Sequence, residues 1–163
     1  MLTERTKNFA ETSIIPKRIL VPVDGSENSA RAANVAIEVA RKFEAELVVL
    51  YVIGVPATAV AKAGLSYGHE IALKEYFESA HKEADTIVDE VIRLAEAKGA
   101  KATRLIRDYA VSVVETILEE ATKSNVDLIV LGTRGLTRFK TLLIGSVSSG
   151  VLHHAHCSVL IVR

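Results

Sequence analysis

The chain has 163 residues, 49% of them hydrophobic and 25% charged, which is typical of one globular domain with a buried core. Twenty basic and twenty acidic residues cancel, and aromatic residues make up only 5% with no Trp, so we expect no nucleic-acid partner. There is no apolar run of membrane-spanning or signal-peptide length, and there is a single cysteine, so we expect a cytoplasmic protein with no disulfide framework and no membrane partner.

The first strand and helix are predicted close to the N-terminus. The apolar run from Ile19 to Val23 predicts a strand, although its Pro22 cannot donate to a sheet ladder. A turn follows at Asp24-Gly25-Ser26, and either Ser26 or Asn28 can cap the next helix. The apolar face predicted for that helix comprises Ala33, Ala36, Ile37, Ala40 and Phe43.

The middle of the chain repeats this alternation. The segment from Glu46 to Ile53 is apolar at successive positions, which indicates a strand buried on both faces of a parallel sheet. After a connection from Gly54 to Gly68, a long helix is predicted from Glu70 to Lys98, and Gly99 ends it. Its apolar positions recur every three or four residues at Phe77, Ala80, Ala84, Ile87, Val91 and Leu94.

The second half of the chain completes an alternating pattern. The segment from Ala102 to Asp108 mixes apolar and charged residues, as an edge strand does. Ser112-x-x-Glu115 is a capping box that opens a helix. With two more strands and one more helix, the total is five strands and four helices. This pattern predicts an α/β fold, a single-domain doubly wound open sheet of mainly parallel strands with helices on both faces. The inward positions of the capped helix are Val113, Val114, Ile117, Leu118 and Ala121.

The strongest functional signal lies between Asp127 and Ser149. The buried strand at residues 128–131 is followed by Gly132-x-x-Gly135, and nine residues later Gly145-Ser146 opens a helix that runs to His154. Glycines without a Cβ allow a ligand to approach the backbone, and a helix N-terminus attracts anions, phosphate above all. The alternative is an ordinary glycine-rich loop. Hydroxyl donors and positive charges in the same segment are Ser146, Ser148, Ser149, Arg134, Arg138 and Lys140.

Three segments together resemble the universal stress protein family. They are KRILVPVDGSENSARAANVAIEVA, the glycine motif just described, and the tail GSVSSGVLHHAHCSVLIVR. The resemblance covers residues 17–163 and leaves an N-terminal arm, residues 1–16, outside the domain. It implies the strand order 3-2-1-4-5, in which the direction of winding reverses between the first and fourth strands. Ligands of such sheets bind beyond the carboxyl ends of the strands at that reversal, where Asp24 and Gly132 stand.

The resemblance also implies a site for ATP, with AMP and ADP as alternatives. Asp24 would accept hydrogen bonds from the ribose hydroxyls, and its alternative role is that of a turn residue. The backbone of Val52 would contact the adenine. A divalent cation such as Mg²⁺ would be held through the phosphates. The implied cofactor-binding residues are Pro22, Val23, Asp24, Val52, Gly132, Thr133, Arg134, Gly135, Gly145, Ser146, Val147 and Ser148.

The resemblance implies a regulatory binding protein of the stress response, and the residues themselves argue against an efficient enzyme. Residues 132–149 contain no Asp, Glu or His to activate water, and the chain has no P-loop. The alternatives are a slow ATP-hydrolysing enzyme and a nucleotide-free structural dimerisation module. We expect a homodimer joined through the apolar last strand, Ser158 to Val162. His153, His154 and His156 suit a helix C-terminus better than a metal site, and Cys157 is expected to be unreactive.

Overall fold

The computed structural model describes residues 15–56, 68–135 and 144–163. Most of the predicted N-terminal arm lies outside these ranges, as do most of the Gly54 to Gly68 connection and the glycine-loop cations Arg138 and Lys140. Within the described ranges, none of the helices combines the length and the apolar character that crossing a membrane requires.

Strands and helices alternate along the whole described chain. The strands other than β3 are mainly apolar, and the helices carry apolar residues at helical spacing on one side, so the two kinds of element bury each other. The elements are β1 (Arg18–Pro22), α1 (Glu27–Phe43), β2 (Glu46–Gly54), α2 (Gly68–Ala97), β3 (Ala102–Ala110), α3 (Val113–Lys123), β4 (Leu128–Gly132), α4 (Ser146–His154) and β5 (Ser158–Val162).

The five strands form one parallel sheet in the order β3-β2-β1-β4-β5, which confirms the predicted fold and strand order. β1 pairs with β2 as far as Pro22, but its pairing with β4 covers only Ile19 and Leu20. The N–H of Val23 donates to Leu50 in β2, so the nitrogen of Pro22 faces the opposite neighbour, β4. Because proline has no N–H, it cannot extend that ladder, and the two central strands separate at their carboxyl ends.

Helices cover both faces of the sheet, and the alternation of side chains along the strands divides the core in two. On one face Ile19 and Val21 pack with α1 and α2. On the other face Leu20 and Ile129 pack with α3 and α4. All four of these strand residues are fully buried, so β1 and β4 are held rigidly from both sides.

The predicted element boundaries were right to within two residues, and one predicted core residue was wrong. The long helix begins at Gly68, and the third strand continues to Ala110. Phe43 is 41% exposed, because it is the last residue of α1 and the chain turns away at Glu44, where φ is 55°. The predicted cap at Ser26 is confirmed by its bond from the N–H of Ser29.

An ion pair between a partly exposed arginine and a buried glutamate joins β3 to α3. Both carboxylate oxygens of Glu120 accept hydrogen bonds from Arg107 at 2.9 Å, and only 5% of the Glu120 side chain is exposed. The Arg107 guanidinium, aided by Lys123, outweighs the effect of burial and lowers the pKa of Glu120. The pair anchors the outer strand to the helix that follows it.

Candidate functional site

A cleft of about 230 Å³ opens where β1 and β4 separate, at the carboxyl edge of the sheet. It lies at the reversal of strand order, where α/β sheets bind their ligands. All the predicted site residues line this cleft except Thr133. They come from four places in the chain: the end of β1, the carboxyl-terminal part of β2, the end of β4 with the loop after it, and the first turn of α4.

Asp24 stands at the end of β1 with one carboxylate oxygen engaged and one facing the cleft. Its Oδ1 accepts a hydrogen bond from the N–H of Ser26 at 3.0 Å, which makes the tight turn that glycine permits at position 25, where φ is 78°. Its Oδ2 points at Gly135, on the opposite wall. Both roles considered for this residue are therefore compatible, because the turn uses only one of the two oxygens.

The three motif glycines are required first by contacts within the protein. A Cβ at Gly132 would lie 2.7 Å from the backbone of Asn28 in α1, and a Cβ at Gly145 would lie 3.3 Å from Thr133 O and Arg134 Cα. Gly132 therefore allows β4 to approach α1, and Gly145 allows α4 to begin directly above the end of β4. The glycine at position 135 is different, because its missing Cβ would lie 2.5 Å from Asp24 Oδ2.

The first turn of α4 supplies the amide groups of a potential anion site. Gly145 is the N-cap and offers no side chain, and the first bond within the helix is made by the N–H of Ser149 to Gly145 O. The N–H groups of residues 146–148 therefore have no acceptor within the helix. They lie at the positive end of the helix dipole and line the cleft, as the anion-site hypothesis requires.

Two hydrogen-bond donors that the sequence suggested for an anion, the Thr133 N–H and the Ser148 hydroxyl, instead donate to groups within the protein. The N–H of Thr133 donates to Val162 O at 2.9 Å, and the side chain is buried behind the cleft wall. The hydroxyl of Ser148, which is buried too, donates to Gly132 O at 2.7 Å. A second tie, from the N–H of Gly145 to Thr133 O at 2.7 Å, closes the loop. These bonds hold the start of α4 against the end of β4, so the groups that make them shape the site and are not available to a ligand.

Sequence reasoning missed the apolar wall of the cleft. Val113 and Ile117 project from the first turns of α3, and Leu131 and Ser29 complete the lining. Val113 and Ile117 had been assigned to the core alone. A usable signal existed, because α3 follows β3 directly and its first turn must lie at the same carboxyl edge as Asp24. The cleft therefore has apolar as well as polar lining residues, as a ligand with a base and phosphates would need.

Charged and reactive groups near the cleft are few among the described residues. Asp24 and Arg134 are the ionisable side chains of its lining. Burial, with the charges of Glu83 and Asp24, raises the pKa of the Tyr51 phenol, which packs on the α2 side of the sheet. At the far end of the sheet, burial raises the pKa of Cys157, a shift that disfavours the reactive thiolate.

The three histidines beside α4 make ordinary local contacts where the structure shows them. His154 Nδ1 lies 2.8 Å from Gly150 O, one helical turn earlier, and His156 Nδ1 lies 3.3 Å from Thr122 Oγ1. In the described ranges no three metal-ligating side chains come together.

Comparison with known proteins identifies relatives over nearly the whole chain. The model of the universal stress protein family matches residues 16–163. A universal stress protein of Methanocaldococcus jannaschii is 36% identical, with 90% of this chain and 82% of that protein covered. The structure of a universal stress protein from Lactobacillus plantarum superimposes with a TM-score of 0.79 at 27% identity, covering 90% of this chain and 97% of the other. A universal stress protein crystallised in complex with cAMP has a TM-score of 0.63 at 25% identity, covering 91% and 98%.

Proposed function

Because the chain belongs to the universal stress protein family, we propose that it binds an adenine nucleotide, ATP in the first place, as a regulatory ligand of the stress response. The observation that carries this proposal is the convergence on one cleft of three features: a carboxylate oxygen of Asp24 with no hydrogen bond to the described residues, a helix N-terminus without a side-chain cap, and an apolar wall. The solved relative that holds cAMP supports an adenine nucleotide as the class of ligand.

The proposed orientation follows from the chemistry of the cleft walls. The phosphates would lie against the N–H groups of residues 146–148 and the side chain of Arg134, where positive charge is concentrated. The ribose hydroxyls would donate to Asp24, and the base would lie between Val52 and the apolar residues of α3. A divalent cation such as Mg²⁺ would be carried in by the phosphates, since one nearby carboxylate is too few to hold it alone.

We propose that the ligand is bound and not turned over at an enzymatic rate. In the described lining Asp24 is the one carboxylate and no histidine is present, and the proposed orientation gives Asp24 to the ribose hydroxyls and not to the phosphates. A general base would need a free position beside an attacking water. Phosphate release from ATP should therefore stay well below about one turnover per second, and a faster rate would favour the hydrolase.

Thermal shift and calorimetry test the proposed ligand. ATP, ADP, AMP and cAMP are compared with GTP, and micromolar affinity is expected for the preferred adenine nucleotide. At about 100 times the dissociation constant, binding adds about 2.7 kcal/mol, which raises Tm by roughly 5–10 °C. A protein that remains folded and shows no shift with any adenine nucleotide would instead be the nucleotide-free dimerisation module.

Two glycine variants, one at the cleft and one away from it, locate the site. Gly145→Val adds bulk where a single Cβ is already 3.3 Å from Thr133 O, so it should displace the start of α4 and abolish the ATP shift. Gly54→Ala is the control, because its Cβ would meet ordinary contacts, the nearest at 3.7 Å from Ala110 O. Circular dichroism checks that both variants are folded. Retention of ATP binding by a folded Gly145→Val protein would place the ligand elsewhere.

We also propose a homodimer joined through β5. This strand is at one edge of the sheet, and its apolar residue Leu160 is 38% exposed. An unpaired edge with apolar side chains favours pairing with a second strand. Light scattering at micromolar concentration should give the mass of a dimer, and Leu160→Lys should give a monomer. Ile71→Lys, at a 50% exposed position on α2, is the control that should remain dimeric.

A further inference from the structure

A glycine in the second turn of α4, Gly150, packs directly against α3. A Cβ built at this position would lie 2.9 Å from Cγ2, 3.1 Å from Cγ1 and 3.6 Å from Cβ of Val114. Val114 packs against the buried core of this face of the sheet, and a β-branched side chain in a helix has one strongly preferred rotamer. The space that a side chain at position 150 would need is therefore filled by a residue that cannot easily turn away.

The backbone of α4 does not require a glycine at this position. Among the described residues the glycines with left-handed backbone are Gly25 and Gly99, so the helical conformation of Gly150 suits any residue. Alanine forms helices better than glycine does, so the local preference of the chain favours a side chain here. What the glycine provides is a short distance between α3 and α4.

This contact lies directly behind the cleft. The first turn of α3 contains both Val114 and the lining residue Val113, and the lining residue Ile117 is the neighbour of Val114 one turn later. On the other side, Gly150 follows the turn of α4 whose N–H groups line the cleft. Val114 and Gly150 are not themselves among the described lining residues. They set the distance between the apolar wall and the anion end of the cleft from outside it.

The two helices are not held equally firmly. Two hydrogen bonds of 2.7 Å hold the start of α4 against the end of β4. The first turn of α3 bonds to its own cap, where the N–H of Glu115 donates to Ser112 Oγ at 3.3 Å, and the ion pair from β3 reaches α3 only at Glu120. Added volume at position 150 should therefore displace the first turn of α3, and the apolar wall would move away from the start of α4.

We infer that Gly150 is a positioning residue that acts through Val114, and that the spacing it allows between α3 and α4 gives the cleft its preference for a complete nucleotide over free polyphosphate. This inference rests on the proposed function and adds to it a determinant of selectivity outside the cleft lining. A ligand whose base contacts α3 while its phosphates contact α4 depends on that spacing. A polyphosphate depends on the start of α4 and on Arg134 alone.

A double-mutant cycle on the full chain tests this inference. Calorimetry measures the affinities for ATP and inorganic tripolyphosphate of the unmodified protein, Gly150→Ala, Val114→Ala and the double variant. Gly150→Ala should weaken ATP binding roughly 3- to 30-fold, the range for residues that act on a site without touching its ligand, and should change tripolyphosphate affinity less than about twofold.

The double variant should recover the lost affinity. Val114→Ala removes both Cγ atoms, and the remaining Cβ lies at the ordinary contact distance of 3.6 Å from the added Cβ. ATP affinity should therefore return to within about twofold of the unmodified protein. Val114→Ala alone should lower Tm, because it leaves a space beside Gly150. His153→Ala, at an exposed position of the same helix, is the control that should leave both affinities unchanged.

The outcomes separate this inference from the proposed function. Unchanged ATP binding in Gly150→Ala, equal weakening of ATP and tripolyphosphate, or an ATP loss that persists in the folded double variant would overturn the inference alone, as would an unchanged Tm in Val114→Ala. Failure of the unmodified protein to bind any adenine nucleotide would overturn both. If Gly150→Ala does not fold, Val114→Ile, which adds one methyl group to the same contact, must lower the ratio of ATP to tripolyphosphate affinity for the inference to stand.

Discussion

Two aspartates flank the central pair of strands at opposite ends of the sheet, and they have different uses. At the amino end, Asp127 Oδ2 accepts hydrogen bonds from the N–H groups of Lys17 and Arg18 at 2.8 and 2.9 Å, and so ties the start of β4 to the start of β1. At the carboxyl end, Asp24 uses Oδ1 in its own turn and leaves Oδ2 facing the cleft. An aspartate thus joins the two strands at their amino ends, whereas at their carboxyl ends an aspartate lines the cleft between them.

The difference follows from how the strands are paired around each aspartate. At the amino end β1 and β4 are in register, and the N–H of Asp127 bonds to Arg18 O, so donors from one strand reach acceptors on the other. At the carboxyl end Pro22 interrupts the ladder and the chains diverge into α1 and the glycine loop. Polar groups become available for a ligand where the protein's own pairing stops.

The largest effect on stability is expected at the carboxyl ends of β1 and β4, where the two strands separate. Gly132→Ala places a Cβ 2.7 Å from the backbone of Asn28, which cannot move without shifting α1. Overpacking of this kind should cost about 3 kcal/mol, or roughly 6–12 °C in Tm. Thermal unfolding measures the loss, with Gly54→Ala as the control that should stay close to the unmodified protein. Equal Tm values for the two variants would mean that the contact between β4 and α1 is looser than described.

A smaller effect on stability is expected at the amino ends of β1 and β4, where Asp127 joins the two strands. Asp127→Ala removes both bonds between β4 and the start of β1, and it should lower the free energy of unfolding by about 1 kcal/mol. Because this site is a strand length away from the cleft, nucleotide affinity should not change. Urea unfolding and ATP calorimetry on the same preparation give both quantities. Weaker ATP binding in folded Asp127→Ala protein would show that the two ends are coupled, contrary to the comparison.

The smallest effect concerns the pH dependence of stability at the amino ends of the strands. Hydrogen bonds from Arg18 to Glu46 lower the pKa of that carboxyl. A carboxyl whose pKa is lowered by folding adds stability above its ordinary pKa of about 4.3, and this contribution is lost as the pH falls through the lowered value. Both side chains are more than a third exposed, so solvent screening limits the pair to less than about 1 kcal/mol.

Arg18→Met therefore should destabilise the protein slightly at pH 7 and hardly at all near pH 3. Urea unfolding at the two pH values gives the difference. Arg31→Met removes a more exposed pair, in which 80% of the Glu27 side chain is accessible, and should show no change at either pH. An Arg18→Met penalty that persists at pH 3 would point to the bond between Arg18 and Ser124 O as its source.

The sequence alone was sufficient to predict the architecture. Apolar runs at β1, β2 and β4 and helical periodicity in α1, α2 and α3 are local signals, and each element formed where its signal lay. The exposure of Phe43 was not predictable in the same way. Its spacing matches the apolar face of α1, but whether the last turn of a helix is covered depends on where the next segment goes.

The location of the candidate site could also be predicted from the sequence, but the contacts that each site residue makes could not. Residues 22–24, 132–135 and 145–148 were predicted from motif spacing and family resemblance, and all of them except Thr133 line one cleft. Three contacts could not be predicted from the sequence. Gly132 packs against Asn28, Gly135 packs against Asp24, and the Ser148 hydroxyl donates to Gly132 O. Spacing along a chain reports which residues share an edge of the sheet, because strand direction sets that. Which atoms then touch depends on how separate segments pack against one another, and only the tertiary structure decides it.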